Sequence, residues 1–272
     1  MSAPIKAGRR CHGGIDPFFW LAVTSSTIVV AFILVPLYEM MTQPTVAALK
    51  ETLADGDVVR SIRLSLLTSG AAAIIALVFG TPLAYLLARR HFPGKKILES
   101  VIDLPIMIPH PVIGIALLSI AGRNHPIGRL MQSIGIQIMG TTTGLIAVLT
   151  FVGLPFYINT VKTGFDEISP RLEHVSRSLG ASAGATFFRI TLPLAWRYMV
   201  VGGIMCMARA VSEFGAVVIV AYHPMVAPVM IYERFTAYGL KYSQPVAVWL
   251  IFVCLILFLL LRVFSLNRRA PA

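Results

Sequence analysis

Along the chain, long apolar runs alternate with short polar, mostly basic segments, and six of these runs are long enough to span a hydrocarbon core of about 30 Å. The first is 18–38, without a charge between Asp16 and Glu39. The second is 64–88, the fourth 141–161, the fifth 198–222 and the sixth 245–261. The third, 101–121, is irregular because it carries Asp103, Pro105, Pro109, His110 and Pro111. The first run is too long for a secretory leader and lacks a small-residue cleavage site, so it reads as a retained helix. Between the first two runs, 44–63 has partial helical spacing (Val46, Leu49, Leu53, Val58, Ile62) interrupted by Asp55-Gly56-Asp57, which reads as a short interfacial helix.

Composition agrees with that pattern. Of the 272 residues 57% are hydrophobic and 13% charged, and the mean hydropathy is +0.80. A soluble domain carries about a quarter charged residues, so a water-soluble enzyme is excluded. The net charge of +11 sits between the apolar runs rather than on a stripe, which argues for membrane topology and against nucleic acid. Six spans put both termini on one side. That side holds fifteen cations: Lys6, Arg9, Arg10; Arg89, Arg90, Lys95, Lys96; Lys162, Arg171, Arg177, Arg189, Arg197; Arg262, Arg268 and Arg269. The other holds seven: Lys50, Arg60, Arg63, Arg123, Arg129, Arg234 and Lys241. Positive charge accumulates on the cytoplasmic side, so the termini and the 162–197 loop are expected there. The fold class is an all-α integral membrane protein forming one transmembrane domain over 1–272. Cys11, Cys206 and Cys254 lie far apart and imply neither a disulfide framework nor a metal site.

The 162–197 loop is longer than a plain connection needs. Leu172, Val175, Ser176 and Leu179 recur at amphipathic helical spacing. Ser169-Pro170 suits a helix start, Gly180 allows a sharp turn, and a second short helix over 181–190 is expected to end before Leu192-Pro193. No phosphate-binding loop of the Gly-x4-Gly-Lys-Ser/Thr type occurs; Pro93-Gly94-Lys95-Lys96 is only a basic turn. The chain therefore holds no ATPase site or cofactor of its own, and ATP with magnesium would be used by a partner.

Within the spans, Arg209 and Glu213 are four residues apart on one expected helix face, where isolated charges are costly. They suit either a translocation pathway or a structural ion pair, within one helix or across a dimer. The prolines at 105, 109 and 111 break helical hydrogen bonding, as in a pathway-lining or gating helix or a packing kink. His110 reads as hydrogen-bonded structure rather than a metal ligand. Small residues at Gly70, Ala71, Ala72, Ala73, Ala76 and Gly80 on the second span, and at Gly202 and Gly203 on the fifth, suit close helix approach.

The spacing of Gly180, Ile190, Leu192 and Pro193 resembles the cytoplasmic loop of ABC importer permeases, Glu-Ala-Ala, three residues, Gly, nine residues, Ile-x-Leu-Pro. The Glu-Ala-Ala place is held by His174-Val175-Ser176, with Glu173 one position early, so either Glu173 or His174 stands for the glutamate. The resemblance implies an ATPase-coupling helix near 178–188, with Glu173, His174, Leu179, Gly180, Ala181, Ser182, Ala183 and Phe187 as coupling residues. Ala208 to Phe235, with Asp103 to His110 and Phe79 to Arg89, resembles archaeal-type molybdate/tungstate permeases, the archaeal likeness resting on Tyr222 to Phe235, while Ser212-Glu213-Phe214-Gly215-Ala216 is shared more loosely with bacterial molybdate and sulfate permeases. That likeness implies the type I importer permease fold. It also implies a homodimer in the cell membrane, two ATP-binding cassette subunits and an external oxyanion-binding protein. The implied pathway or gate holds Pro105, Pro109, His110, Arg209, Ser212, Glu213, Phe214 and Gly215. Sulfate is the rival cargo, and a stand-alone ion-coupled transporter using Glu213, Asp103 or His110 the rival class.

Overall fold

Apolar residues at helical periodicity leave the backbone one way to satisfy itself in lipid, which is to bond within each segment. In the computed structural model, which describes residues 17–122 and 124–266, the regular structure of those residues is accordingly all helix, joined by short turns. The helices are α1 Pro17–Thr42, α2 Val46–Ala54, α3 Gly56–Arg89, α4 Lys95–Met107 and α5 His110–Ala121. They continue with α6 Pro126–Ser133, α7 Thr142–Glu167, α8 Pro170–Ser178, α9 Ala183–Val211, α10 Gly215–Val220, α11 Ala227–Tyr238 and α12 Leu240–Leu266. Among the described residues, α1, α3, α7 and α9 are long and apolar enough to cross a membrane, and the pair α4–α5, bent by 113°, would make a fifth crossing. The described apolar part of α12 is shorter, Leu240–Ile256. Lys6, Arg9, Arg10, Cys11, Arg123, Arg268 and Arg269 lie outside the described residues.

Among the described residues, 17–45 form a unit of their own. Its helix α1 is exposed all round, Phe32 to 80%, as suits a rod surrounded by lipid. The second unit, from Val46 onward, is built on α7, whose buried residues run from Gly144 to Phe165. Along α7 and α9 small residues let the backbones approach. A Cβ at Gly153 would lie 2.6 Å from Cys206 Sγ, and one at Gly202 would lie 3.1 Å from Val161 Cγ2. A methyl at Gly164 would run into Cβ and Cγ of Tyr198. Gly80 meets Tyr157 as its small size suggested, but Gly70 and Gly203 meet nothing within 4 Å.

Two prolines inside long helices are absorbed in the same way. Proline removes an amide and crowds the carbonyl four residues back. In α3 a wide π turn, Ala76–Gly80, stands just before Thr81-Pro82, and in α9 another, Phe187–Thr191, stands just before Leu192-Pro193. Helix α9 thus runs unbroken through Pro193, where the sequence suggested that the 181–190 helix would stop. The expected 162–197 loop shrinks accordingly, because α7 reaches Glu167 and α9 starts at Ala183.

The expected fifth span fails at its other end. Helix α9 stops at Val211, Ser212–Phe214 is non-helical, and only the short α10 follows. The third run is likewise two helices at an angle, broken at Ile108-Pro109 where both residues are extended. Of the expected 44–63 segment, Val46–Ala54 forms the short helix α2 and the rest from Gly56 belongs to α3, which Asp55 caps by accepting from the amides of Asp57 at 2.9 Å and Val58 at 3.4 Å. Burial there raises the Asp55 carboxyl, but those amides and the Arg234 guanidinium outweigh it and hold the group below its ordinary value. Residues far apart in sequence close this end: Arg234 pairs with Asp55, Trp249 Nε1 donates to Leu49 O at 3.0 Å, and the Ala227 amide donates to Ser65 Oγ at 2.8 Å.

Gly164→Ala is expected to cost about 1–3 kcal/mol through overpacking at the α7–α9 contact. Thermal unfolding in detergent should show it, with Gly203→Ala unchanged; equal stability of both variants would contradict the packing described.

Candidate functional site

The two broken helices meet at their breaks. Helix α5 restarts at His110 with Pro111 in its first turn, and α10 restarts at Gly215. The two are so close that a Cβ at Gly215 would lie 2.9 Å from His110 Cβ, and one at Gly114 would lie 2.8 Å from Ile219 Cβ. Glycine at these positions is what permits the contact.

Into this junction the sequence sends three ionisable side chains. Arg209 Nη2 donates to Glu213 Oε2 at 2.7 Å and lies 2.8 Å from His110 Nε2 and 3.0 Å from its Nδ1. Glu213 Oε2 is 3.3 Å from His110 Nδ1, and its Oε1 accepts from the Ala216 amide at 2.9 Å, closing the first turn of α10. Glu213 is 2% exposed, whereas the His110 side chain is 40% exposed. The carboxylate therefore sits at the bottom of the junction and the imidazole at its open side. The pair forms within one chain, but not along one continuous helix as expected, because Glu213 lies beyond the end of α9. Phe214 stacks near Tyr232, with ring centroids 4.8 Å apart, and Ser212 is exposed and donates to Arg209 O. Pro109 forms the break; Pro105 is buried within α4, where it takes no part in the cluster. Asp103 is held instead by Asn159, 2.6 Å away, on α7.

At the C-terminal end of α3, whose 34 residues make a rod of roughly 50 Å at 1.5 Å per residue, lies the α7–α9 connection. Helix α8 closes in a full Schellman turn: the Gly180 amide, at φ +92°, donates to Arg177 O and the Ala181 amide to Ser176 O. Ser182 then caps α9 by accepting from the Ala185 amide. Between Glu173 and His174 the geometry is decisive. Glu173 points inward and accepts from Arg89 Nε at 2.8 Å, Tyr85 Oη at 3.0 Å and Thr191 Oγ1 at 3.1 Å. Arg89 also donates to Phe165 O and Ile168 O, so one arginine ties α3, α7 and α8 together. His174 is exposed.

Leu172, Val175 and Leu179 (84% exposed) make an outward apolar stripe. Phe187 turns inward against Tyr85, ring centroids 4.8 Å apart. Phe188, which sequence reasoning passed over, is the phenylalanine that faces out, at 66%. Two adjacent phenylalanines carry no signal for which is buried, and the π turn beginning at Phe187 sets their directions. Among the described residues no group of three or more His, Cys, Asp or Glu side chains could hold a metal.

Residues 80–270, which include both regions, match the family model of the binding-protein-dependent transport system inner membrane component. The chain belongs to this family. It is a multi-pass protein of the cell membrane. It is 40% identical over 252 residues to the molybdate/tungstate transport system permease protein of Pyrococcus abyssi, covering 92% of this chain and 96% of the relative. With the sulfate transport system permease protein of Synechococcus elongatus the identity is 35% over 229 residues, 82% of this chain and 78% of the relative. Among solved structures, a bacterial ABC transporter involved in import of the acidic polysaccharide alginate matches with TM-score 0.73 at 17% identity, covering 93% and 96% of the two chains. That last likeness is one of fold.

Removing either charge of the junction leaves its partner unpaired and desolvated. Arg209→Met or Glu213→Gln alone is expected to destabilise the protein, Arg209→Met by about 3–5 kcal/mol because it strands a buried carboxylate. The double variant should recover part of the loss in a thermal double-variant cycle; strict additivity would mean the two do not interact.

Proposed function

We propose that the chain is the permease of an ATP-driven importer of molybdate or tungstate. The observation that carries this is the full-length likeness to permeases named for those anions, which exceeds the likeness to sulfate permeases in identity and coverage. In this reading six spans place both termini in the cytoplasm, and two copies of the chain enclose a central pathway. Two ATP-binding cassette subunits lie below and an oxyanion-binding protein docks outside. The chain is not itself an enzyme; ATP and magnesium are used by the partner subunits.

The pathway in this reading passes the junction of broken helices. Arg209 supplies attraction for a dianion, and Glu213 offsets it, so that the anion is passed on rather than held. His110, Ser212, Phe214 and Gly215 shape the wall, and Pro105 and Pro109 set the course of the interrupted span. Selection then falls to the external binding protein.

The coupling surface is the α8–α9 corner, with Leu179, Gly180, Ala181, Ser182 and Ala183 at its tip. Leu172, Val175, Leu179 and Phe188 offer the apolar side chains that a cleft in the ATPase would bury. Glu173 and Phe187 act from inside, fixing the corner to α3 and α7. Helix α9 supports this assignment: it runs from Ala183 at the corner to Val211, two residues beyond Arg209. A rod of 29 residues, about 40 Å at 1.5 Å per residue, would carry a push on the corner to the pathway.

Deleting the gene should abolish sulfate-resistant uptake of labelled molybdate and tungstate, and loss of sulfate uptake instead would favour the sulfate reading. Leu179→Glu, which alters an exposed side chain without straining the Gly180 turn, is expected to detach the ATPase and reduce uptake at least about tenfold, since a charge buried without a partner costs several kcal/mol. Unimpaired uptake and co-purification would refute this placement of the corner.

A further inference from the structure

The three ionisable groups where the broken helices meet share their hydrogens in a way that only one protonation state allows. Arg209 Nη2 carries two hydrogens. It lies 2.7 Å from Glu213 Oε2 and 2.8 Å from His110 Nε2, so both are engaged. His110 Nδ1 lies 3.3 Å from that same Glu213 oxygen. A carboxylate only accepts, so the ring hydrogen belongs on Nδ1 and the bare Nε2 is left to accept from Arg209. A second proton, on Nε2, would set two donors face to face at 2.8 Å. It would drive Arg209 off the ring while strengthening the hold of His110 on Glu213.

Among the described residues no other titratable side chain touches this ring. Helices α5 and α10 carry none besides His110. On α9, Cys206 faces Gly153 of α7, and the part of α7 that packs against α10, Gly144 to Val152, has no titratable group. Asp103 of α4 is held by Asn159, and Tyr232 of α11 lies against Phe214. The His110 side chain is 40% exposed and that of Glu213 1%, so water delivers a proton to the imidazole first. Histidine is the side chain whose charge ordinarily changes between about pH 5 and 8. With a neutral ring the three groups sum to zero charge and Arg209 is committed. With a protonated ring they sum to one positive charge and the guanidinium is free, which suits a tetrahedral dianion.

We infer that His110 is a proton-carrying positioning residue of the pathway. A proton taken from water onto Nε2 hands Glu213 from Arg209 to the imidazolium and releases the guanidinium to the dianion; it returns to water as the anion moves on. The inference rests on the pathway reading proposed above. The state that holds the anion binds one proton more than the empty state, so passage is favoured as the pH falls and lost as it rises.

The test places the complete complex with its ATPase in liposomes, with the same pH on both sides and a limiting amount of tungstate-loaded binding protein. Uptake of labelled tungstate is followed between about pH 8 and about pH 6 for the parent, His110→Gln and His110→Lys. Parent uptake should rise on acidification toward about tenfold per pH unit, the limit for one linked proton. Taking the ratio of variant to parent removes any pH dependence of the ATPase or the binding protein. His110→Gln should hold the parent's high-pH level throughout, and the permanently charged His110→Lys the low-pH level. A residue that only packs the junction would instead change uptake by one factor at every pH, and that result, a flat parent profile, or a slope kept by both variants overturns the inference. A second measurement needs no variant. Tungstate added to the lightly buffered parent complex, held with a non-hydrolysable ATP analogue, should draw up to about one proton per bound anion beyond what the binding protein alone takes up; no uptake of protons overturns the inference as well. A parent that moves neither molybdate nor tungstate at any pH refutes the pathway reading instead.

Discussion

A bilayer supplies no water to a broken helix, so backbone interrupted at membrane depth must be satisfied by protein. Two such interruptions, at Ile108-Pro109 and at Ser212–Phe214, are placed against one another, and much of the structure follows from that constraint. Gly215 and Gly114 let the restarted helices touch. Glu213 receives the Ala216 amide, and Arg209 neutralises the carboxylate and reaches the ring of His110. The outcome is a polar, fixed point in an apolar protein, which a continuous helix cannot offer.

The opposite end of the molecule is governed by a second fixed point. Arg89 and Glu173, each engaged by three groups, bind α8 to the ends of α3 and α7. Between the two points, α9 passes over Pro193 by widening into a π turn instead of breaking. One proline-bearing site is continuous and the other bent for a local reason. The π turn frees the carbonyl that Pro193 would crowd, whereas Pro109 is followed by a second proline at 111 and the chain there turns extended.

Much of this was legible in the residues. Long charge-free runs and the distribution of arginine marked a membrane protein, because transfer into lipid acts on composition over some 20 residues and needs no knowledge of neighbours. Gly180 was readable as a turn, since it adopts the positive φ that a Schellman turn requires. The helix ahead of it, Pro170–Ser178, follows the apolar spacing of Leu172, Val175 and Leu179. Where periodicity was read too simply, prolines and glycines were at fault. Pro193 was read as a stop and is not one, while the Ser212–Phe214 break has no proline to announce it.

What the sequence by itself determined is therefore the helical class, the membrane setting and the identity of the polar groups, all of which depend on local chemistry. Tertiary structure alone decided that His110 meets residues a hundred positions away, that Glu173 rather than His174 turns inward, and that Phe188 rather than Phe187 faces out. These choices turn on which helix packs beside which. In an apolar chain nearly every face is hydrophobic enough to be buried, so only the close approaches at small residues and the pairing of scarce charges select among them.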